Sequence, residues 1–492
     1  MRELYIDVKE EKGKLNRYFT KSIGAGRAAE VMRYSAFEQL KMIQRTCPFE
    51  YIRFHGIFHE EMNVVKRNAD GTLQFNFQYV DLLFDELLKI GLRPIVELGL
   101  TPDVMASEKK YVFWWNMNIS MPKALEEWSL LVETTVRHFT IRYGEEEVKK
   151  WYFEVWNEPN YPAFFTEYKT PNAYFKLYES AALAIKRVCQ AYKVGGPATS
   201  ALEWIPQTIE FCVNNRLPLD FISSHHYCVK GAFDADGEAK VYVQPIEFMT
   251  DGICQMGEFC HQKGYPLLLT EWSSSYSSRD SIHDSYYSAP FVLETIKRCE
   301  GKADMLCYWV YTDIFEEVAP PFSPFHGGFG MLNIQSLPKP SYYAYTFLHR
   351  LGDIQLQCND TSAYACKSNQ ELQILFWNLA HPNGQNVDNQ QYFARLLEPK
   401  KLEPAKVVIS GLKPNKSYVV YLEKIGYKSG DVYSAYLESG ASELSTLDKT
   451  ERLKKCSKPK KRTRQVVSNG EGQLELMLPQ TENQVDLLTL LL

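Results

Sequence analysis

The 492-residue chain lacks the features that mark several classes of protein. No apolar stretch approaches the ~20 residues that a membrane-spanning helix needs, and the first residues form no hydrophobic signal region. Basic side chains do not outnumber acidic ones, at 55 against 60, which disfavours a nucleic-acid binder. We therefore expect a cytoplasmic protein with no nucleic-acid partner and no membrane partner.

Cysteine pairs with metal-site spacing are also missing. The eleven cysteines are scattered between Cys47 and Cys456 and never form a C-x-x-C motif. Their odd number and spacing indicate neither a disulfide framework nor a zinc site. We expect most of them to be small buried hydrophobic residues.

Aromatic residues, in contrast, are abundant. They make up 14% of the chain, with 31 Tyr, 27 Phe and 9 Trp, while the hydrophobic share of 45% and the charged share of 23% are ordinary. These proportions are typical of a soluble globular protein and exclude disordered and coiled-coil classes. The ring surface suits either a core or a ligand that stacks on flat rings.

Residues 20–350 alternate short apolar runs with stretches of helical periodicity. In the clearest helix, predicted over Leu125–Tyr143, apolar residues recur at spacings of three and four. Another helix is predicted over 29–43. Eight such units predict an α/β fold, a (β/α)₈ TIM barrel over residues 16–350. The predicted strands are 22–26, 51–55, 94–99, 152–157, 194–197, 221–226, 267–272 and 305–310.

The pattern changes to short strand-like runs after residue 352, which predicts an all-β sandwich as an accessory domain over 351–492. We expect a strand within residues 1–15 to pair with this domain. A helical or loop insertion near 443–465 carries seven basic residues between Lys454 and Arg464. A polyanion patch is one interpretation. We favour a solvated loop, because removing these seven charges leaves about −12 on the remainder.

Two carboxylates fall where barrel strands should end. Functional residues of such barrels lie at the carboxyl ends of the strands and in the loops that follow. Glu158 follows predicted strand four and Glu271 ends predicted strand seven. A carboxylate at the apolar end of a strand needs partners that offset its desolvation. A pair of them suits glycoside hydrolysis, in which one protonates the leaving oxygen and the other attacks or activates water.

Aromatic residues fall on or beside the same rim. Sugars present apolar C–H faces that pack against flat rings. We expect six rings to surround the carboxylate pair, although core packing explains most of the other rings in the chain. The six are Phe113, Trp115, Trp156, Tyr227, Trp272 and Trp309.

Two alternative sites are disfavoured. Gly24, Gly26 and Ala29 match G-x-G-x-x-A, a dinucleotide-binding pattern, but the second strand ends in Arg53 and His55 where that site needs an acid. Metal ligands are the other alternative, and no catalytic metal or cofactor is expected, because adjacent histidines on a strand point to opposite faces. The candidate ligands are His55, His59, Glu60, Glu61, His225 and His226.

At this point the motifs resemble a known family. WYFEVWNEPN resembles the acid/base signature of the clan of retaining (β/α)₈ glycosidases, and LLLTEWSSSY resembles their nucleophile strand. Together with eight further segments, the chain resembles family 39 glycoside hydrolases, close to the bacterial β-xylosidases, along nearly its whole length. Those segments include IGAGRAAEVMRYSAFEQL, YIRFHGIFHEEM, RPIVELGLTP, KVGGPA, LDFISSHHY, YWVYTDIFEE, FHGGFG and PKPSYYAY.

The resemblance implies roles for individual residues. Glu158 would be the general acid/base and Glu271 the nucleophile, giving net retention through a covalent glycosyl-enzyme. The carboxyl groups of such a pair lie about 5 to 5.5 Å apart. Arg53 would support the ionised state of the nucleophile.

The same resemblance implies a set of residues that bind the terminal sugar. Tyr227 would orient the nucleophile, and Asn157 would hydrogen-bond the sugar 2-hydroxyl. His225 matches a neighbouring sugar-binding histidine. His55, Glu316 and Glu317 match positions that bind xylose hydroxyls, and Phe113 with Trp309 matches an aromatic wall.

The implied activity is that of a cofactor-free, exo-acting β-xylosidase that releases xylose from small xylo-oligosaccharides. A relative acting on arabinose, glucose, galactose or iduronic acid linkages is the alternative, and a non-catalytic sugar-binding protein is a third hypothesis. The sequence departs from the family in the serines after Trp272, in the loop 228–240 and in the basic insertion. A homo-oligomer is compatible with the sequence.

Overall fold

The structure, a computed structural model, describes residues 1–233, 239–382, 388–441 and 446–492. Eight parallel strands pair in chain order and close into a barrel, and a helix follows each of them. This confirms the predicted (β/α)₈ barrel. Barrel strands one to eight are Ser22–Arg27, Tyr51–His55, Arg93–Leu98, Tyr152–Val155, Lys193–Thr199, Phe221–Tyr227, Leu267–Ser273 and Met305–Tyr308. The helices that follow them are Tyr34–Thr46, Gln78–Lys89, Leu125–Tyr143, Asn172–Val188, Ile205–Asn215, Glu247–Gln262, Ser288–Arg298 and Pro340–His349.

Two predicted elements differ from the structure. The helix predicted over 29–43 is divided into Ala28–Val31 and Tyr34–Thr46, because Arg33 has an extended backbone. The strand predicted over 152–157 already ends at Val155, because the backbone of Trp156 turns to a φ of 73°.

Shorter elements occupy the loops of the barrel. Within the described ranges, three hairpins, two 3₁₀ turns and, besides Ala28–Val31, a second short helix lie between the barrel strands and helices, and a further 3₁₀ turn precedes barrel strand one. The hairpins are Val65–Arg67 with Leu73–Phe75, Tyr111–Val112 with Met117–Asn118, and Val229–Phe233 with Ala239–Val243. The turns are Tyr18–Thr20, Glu60–Met62 and Ser200–Leu202, and the short helix is Glu145–Val148.

The interior of the barrel is layered. Inward residues near the amino ends of the strands form an apolar cluster that includes Ile95, Leu268 and Met305. Because inward positions recur every second residue, Glu97 and Thr270 lie one layer higher. The barrel therefore has an apolar floor beneath a polar layer, and the polar layer faces the carboxyl ends where a site is expected.

The accessory domain consists of two packed sheets. Glu3–Asp7 pairs in parallel with Lys401–Ser410, which also pairs with Leu474–Thr481. The second sheet has seven strands in the order Glu11–Lys14, Ile354–Leu356, Ala363–Lys367, Glu371–Trp377, Val485–Leu491, Ser417–Ile425 and Lys460–Val467. Leucine, isoleucine and valine side chains from both sheets share one core. Short helices cover Asn389–Phe393, Val432–Glu438 and Leu447–Cys456.

The basic segment is solvent-exposed, as we favoured, but it forms a helix and a strand rather than a loop. It runs from the helix Leu447–Cys456 into Lys460–Val467, an edge strand that pairs antiparallel with Ser417–Ile425. Lysines on an edge strand discourage pairing with further strands, which accounts for charge at this position. The first residues of the predicted insertion, 443–445, lie outside the described residues.

Two general features of the described chain bear on its surroundings. None of the helices within the described ranges combines the length and the apolar character that crossing a membrane requires. All eleven cysteines are free, and seven of them are fully buried or nearly so, for example Cys47, Cys260 and Cys307.

Candidate active site

A cavity of about 1010 Å³ opens at the carboxyl ends of the barrel strands. This volume lies at the upper end of the roughly 300 to 1,000 Å³ of ligand pockets, so it can hold more than one sugar ring. Eight residues predicted from the sequence line it. They are His55, Phe113, Asn157, Glu158, Tyr227, Glu271, Trp309 and Glu317.

The backbone after barrel strand four presents Glu158 to the cavity. Trp156 and Glu158 both have left-handed backbone, with φ of 73° and 42°. The Glu158 N–H donates to the Ala198 carbonyl at 2.9 Å, which ties the turn to strand five. The irregular turn directs Trp156 into the helix layer and leaves Asn157 and Glu158 at the cavity.

A register irregularity on barrel strand seven brings Glu271 inside. The ladders to strands six and eight both shift near Thr270. Thr270 Oγ1 donates to Glu154 Oε1 at 2.7 Å inside the barrel, and the next residue, Glu271, also reaches an interior partner, Arg53. A bulge breaks the alternation of a strand, so two consecutive residues can face the interior.

The two carboxylates lie close together. One carboxylate oxygen of Glu158 lies within 4.8 Å of one of Glu271. Inverting glycosidases hold their carboxyl groups roughly 6.5 to 9.5 Å apart, whereas retaining enzymes bring them to about 5 to 5.5 Å. The separation fits direct attack by one carboxylate and leaves no space for an intervening water.

Arg53 is the fully buried centre of the site. Its Nε donates to Glu154 Oε2 at 2.6 Å, and its Nη1 donates to Glu271 Oε1 at 2.6 Å. Nη2 lies 2.9 Å from Glu97 Oε2 and donates to Asn157 Oδ1 at 2.9 Å. One guanidinium fork therefore fixes three carboxylates and one amide.

Several contacts stabilise the charged form of Glu271. Burial raises the pKa of Glu271, but the Arg53 cation, His55 and the hydrogen bond from Tyr227 act against that rise. The Tyr227 hydroxyl donates to Glu271 Oε2 at 2.6 Å, and burial raises the pKa of Tyr227 well above its usual range. Tyr227 is therefore a donor at neutral pH, which is the arrangement that an anionic nucleophile requires.

Glu158 has a larger upward shift of its pKa than Glu271. Burial, and next the charge of Glu271, raise the pKa of Glu158 well above its ordinary value. His225 Nδ1 lies 2.9 Å from Glu158 Oε1, and burial lowers the pKa of His225 well below its usual range, so that imidazole is neutral. A protonated carboxyl beside an ionised one separates the acid from the nucleophile.

Three further polar groups face the space where a sugar would lie. The Asn157 oxygen accepts from Arg53, which can only donate, so the amide nitrogen is left for a ligand. His55 Nδ1 lies 2.7 Å from Glu97, whose charge and hydrogen bond outweigh burial and raise the pKa of His55. Burial raises the pKa of Glu317 to about 8.

Trp309 and Phe113 form the aromatic wall of the cavity. The Trp309 ring lies 5.0 Å from His55, and the Arg53 guanidinium lies 5.6 Å from its centroid. Phe113 lies 6.2 Å from His55 on the other side. The strand-one residue Gly24 makes room for the indole, because a Cβ there would come within 2.6 Å of the Trp309 ring.

Some predicted residues lie elsewhere. Glu316 does not line the cavity, because its carboxylate pairs with Arg33 and lies 3.7 Å from Arg27. Its neighbour Glu317 takes the cavity position. His225 contacts Glu158, and its expected contact with a sugar stays a prediction.

The expectation for three aromatic residues was wrong. Trp156 and Trp272 are fully buried outside the cavity, and Trp115 packs behind Phe113 at 5.3 Å between ring centres. Trp272 follows the inward Glu271 and so points to the helix layer, where it packs against Phe291 and Tyr308.

Sequence reasoning missed other functional positions. Glu97 and Glu154 are fully buried partners of Arg53, and each is a lone charge within an apolar strand, which was an available signal. The outer cavity wall is lined by loop residues Tyr161, Tyr276 and Arg279 and by Asp388 and Gln390 of the accessory domain. Only the folded chain brings these distant residues together. Residues 234–238 of the loop 228–240 lie outside the described residues.

The disfavoured alternatives can be located as well. His59 Nε2 contacts the Trp115 carbonyl at 3.0 Å, and His226 packs on Phe248 across the strand from His225. Within the described ranges, one group brings three possible metal ligands within reach of each other, namely Glu158, His225 and Glu271. Its members are the carboxylate pair and the neutral imidazole already described.

A (β/α)₈ barrel with two buried carboxylates facing each other at the mouth defines the class of glycoside hydrolases that use paired carboxylates. Residues 3–474 match the family described as "Glycosyl hydrolases family 39". The chain belongs to this family.

Individual relatives match over nearly the full chain. A "Beta-xylosidase" of Caldicellulosiruptor saccharolyticus is 36% identical over 485 residues, covering 96% of each chain. The solved GH39 enzyme from Xanthomonas axonopodis pv. citri superposes with a TM-score of 0.94 at 34% identity, covering 100% of this chain and 97% of the other. A monomeric beta-xylosidase from Caulobacter crescentus CB15 superposes with a TM-score of 0.93 at 35% identity, covering 100% and 99%.

Proposed function

We propose that this glycoside hydrolase is a retaining exo-β-xylosidase that removes terminal β-D-xylosyl residues from xylo-oligosaccharides. The observation that carries the proposal is the Glu158–Glu271 pair, with oxygens within 4.8 Å, with Arg53 and Tyr227 donating to Glu271 and with His225 in contact with Glu158. The sugar is proposed from the relatives that bear the name beta-xylosidase.

In the first step, Glu271 attacks the anomeric carbon while protonated Glu158 donates its proton to the glycosidic oxygen. The bond to the leaving sugar breaks and a covalent bond to Glu271 forms. The contacts of Tyr227 and Arg53 with the two Glu271 oxygens weaken as the charge of Glu271 is consumed. The Asn157 amide nitrogen is placed to donate to the sugar 2-hydroxyl.

In the second step, Glu158 is a carboxylate and takes a proton from water, which attacks the anomeric carbon. The bond to Glu271 breaks, and the released sugar keeps its original anomeric configuration. The proton taken from water stays on Glu158, so the enzyme is ready for another turnover. Neither step calls for a cofactor, so EDTA should leave the rate of hydrolysis unchanged. Strong inhibition by EDTA would instead support a catalytic metal.

An uncharged sugar suits the cavity better than a uronate. An iduronic acid residue would bring a carboxylate toward the Glu271 carboxylate, and like charges repel. Arabinose, glucose or galactose linkages are the remaining alternatives within the same chemistry. We further propose a place in xylan degradation in the cytoplasm, in keeping with eleven cysteines that are all free.

A panel of p-nitrophenyl glycosides tests the proposal. We expect kcat/KM to be highest for the β-D-xyloside, with α-L-arabinoside, β-D-glucoside and β-D-galactoside lower. A preference for another sugar would overturn the xylose assignment and keep the chemistry. No turnover of any glycoside, with xylose still binding, would favour the non-catalytic sugar-binding hypothesis.

A further inference from the structure

The glycine-rich end of barrel strand one has no role in the catalytic steps. A Cβ on Gly26 would come within 2.1 Å of the Glu30 carboxylate and 2.4 Å of the Phe315 ring. The glycine therefore admits a carboxylate and a ring against the strand. Arg27 and Glu30, the charged residues that follow, are both buried and neither lines the cavity.

Glu30 holds the loop after barrel strand eight. Its Oε1 accepts from the Glu316 N–H at 2.9 Å, and its Oε2 accepts from the Arg27 N–H at 3.1 Å. The Arg27 guanidinium pairs with the same carboxylate. Glu30 thus fixes the backbone immediately before Glu317, the residue of this loop that reaches the cavity.

Arg27 holds the aromatic wall from behind. Its guanidinium lies 4.8 Å from the centroid of the Trp115 ring, and its Nε donates to Glu61 at 2.7 Å. Trp115 stacks on Phe113 at 5.3 Å with 22° between the rings, and Phe113 lines the cavity. A cation over an indole face stabilises the position of the ring.

A backbone hydrogen bond joins the contacts made by Arg27 to those made by Glu30. The backbone N–H of Trp114, between the two stacked rings, donates to the Glu317 carbonyl at 3.0 Å. Arg33 completes the cluster, since its Nη2 donates to Glu316 Oε2 at 2.9 Å. Phe113 and Glu317 are therefore held by one connected set of contacts that begins at Arg27 and Glu30.

We propose that Arg27 and Glu30 are positioning residues that set the terminal-sugar side of the cavity by holding Phe113 and Glu317. The proposal rests on the proposed function, because it assigns these two residues to sugar binding. Glu271 is held separately by Arg53 and Tyr227. Loss of Arg27 or Glu30 should therefore weaken sugar binding and leave the chemical step largely intact.

The test compares Glu30→Ala and Glu30→Gln with the wild type on an aryl β-xyloside. We expect Glu30→Ala to raise both KM and the inhibition constant of free xylose about tenfold, as for a lost hydrogen bond, with kcat within about threefold. Glu30→Gln keeps one oxygen acceptor and should lie between the two. Arg27→Met should raise the same two constants through Trp115.

The matched control is Asp360→Asn in the accessory domain, which breaks a bidentate pair whose Arg2 Nε and Asp360 Oδ2 lie 2.6 Å apart. It should lower the melting temperature and leave KM unchanged. If the Glu30 variants behave like this control, with lower stability and unchanged KM, the proposal is overturned. If Glu30→Ala does not fold, the KM of Glu30→Gln decides. An inactive wild type would instead overturn the proposed function.

Discussion

Two buried ionic clusters of this barrel differ in what they face. The mouth cluster consists of Arg53 with Glu97, Glu154 and Glu271. The rim clamp consists of Lys339, whose Nζ lies 2.6 Å from Asp284 and 2.7 Å from Asp313. In both clusters, one buried cation contacts carboxylates from several loops or strands.

The two clusters differ in the further contacts of their carboxylates. Both rim-clamp aspartates also accept backbone N–H groups, from Gly327 and Gly330, and neither lines the cavity. In the mouth cluster, Glu271 lines the cavity and faces Glu158, which His225 contacts. Buried charge alone therefore does not mark a site; an open face toward a second carboxyl does.

Removing the Glu271 carboxylate should have the largest effect on the mouth cluster. Glu271→Gly should lower hydrolysis of p-nitrophenyl β-D-xyloside by at least about 10⁴-fold, because no group remains to form the covalent intermediate. Azide should partly restore turnover and yield the α-xylosyl azide, measured by product NMR. Ordinary activity in this variant would remove Glu271 as nucleophile.

Removing the Glu158 carboxyl should slow the hydrolysis of substrates with poor leaving groups more than that of substrates with good ones. Glu158→Ala should lose about 10² to 10⁴-fold on xylobiose, whose leaving oxygen needs a proton. The first step on a dinitrophenyl xyloside should change far less, as followed by pre-steady-state release of the phenol. Glu158→Gln is the matched control for shape. Equal losses on both substrates would count against an acid role.

Tyr227→Phe should sharpen the comparison through the pH profile. The Tyr227 hydroxyl donates to Glu271 and so lowers the pKa of that carboxyl. Without the donor the Glu271 pKa rises, so the acidic limb of kcat/KM should move to higher pH and kcat should fall about 10 to 100-fold. An acidic limb that does not move would indicate that Tyr227 has no influence on Glu271.

Breaking the rim clamp should affect stability rather than turnover. Lys339→Met leaves two buried carboxylates without their cation, so the free energy of unfolding should fall by about 3 to 5 kcal/mol. The activity of the folded fraction should stay within about threefold. Chemical denaturation and kcat/KM on the same preparation measure both. A loss of kcat as large as that of Tyr227→Phe would erase the distinction between the clusters.

The sequence was sufficient for the barrel and for the carboxylate pair. All eight barrel strands were predicted within a few residues, because each is a short apolar run followed by a polar turn. Glu158 and Glu271 could be identified because each is a carboxylate that follows such a run. Residues at the carboxyl ends of barrel strands lie at the mouth of the barrel, so both carboxylates were expected there.

Side-chain direction beyond the strand ends could not be predicted. Trp156 and Trp272 are close in sequence to Glu158 and Glu271, yet a left-handed turn and a strand bulge direct them away from the cavity. Glu316 and Glu317 are adjacent acids, and only contacts with Arg33 and Arg27 decide which of them leaves the cavity. Such choices depend on tertiary partners that lie hundreds of residues apart.

The most direct test of the account is to trap the covalent intermediate. Treatment with a dinitrophenyl 2-deoxy-2-fluoro-β-xyloside should inactivate the enzyme, because fluorine slows both steps and the good leaving group restores the first. Peptide mass spectrometry should then find the fluoroxylosyl group on Glu271. Labelling of another residue, or inactivation without a covalent adduct, would contradict the assignment of Glu271 and the retaining mechanism built on it.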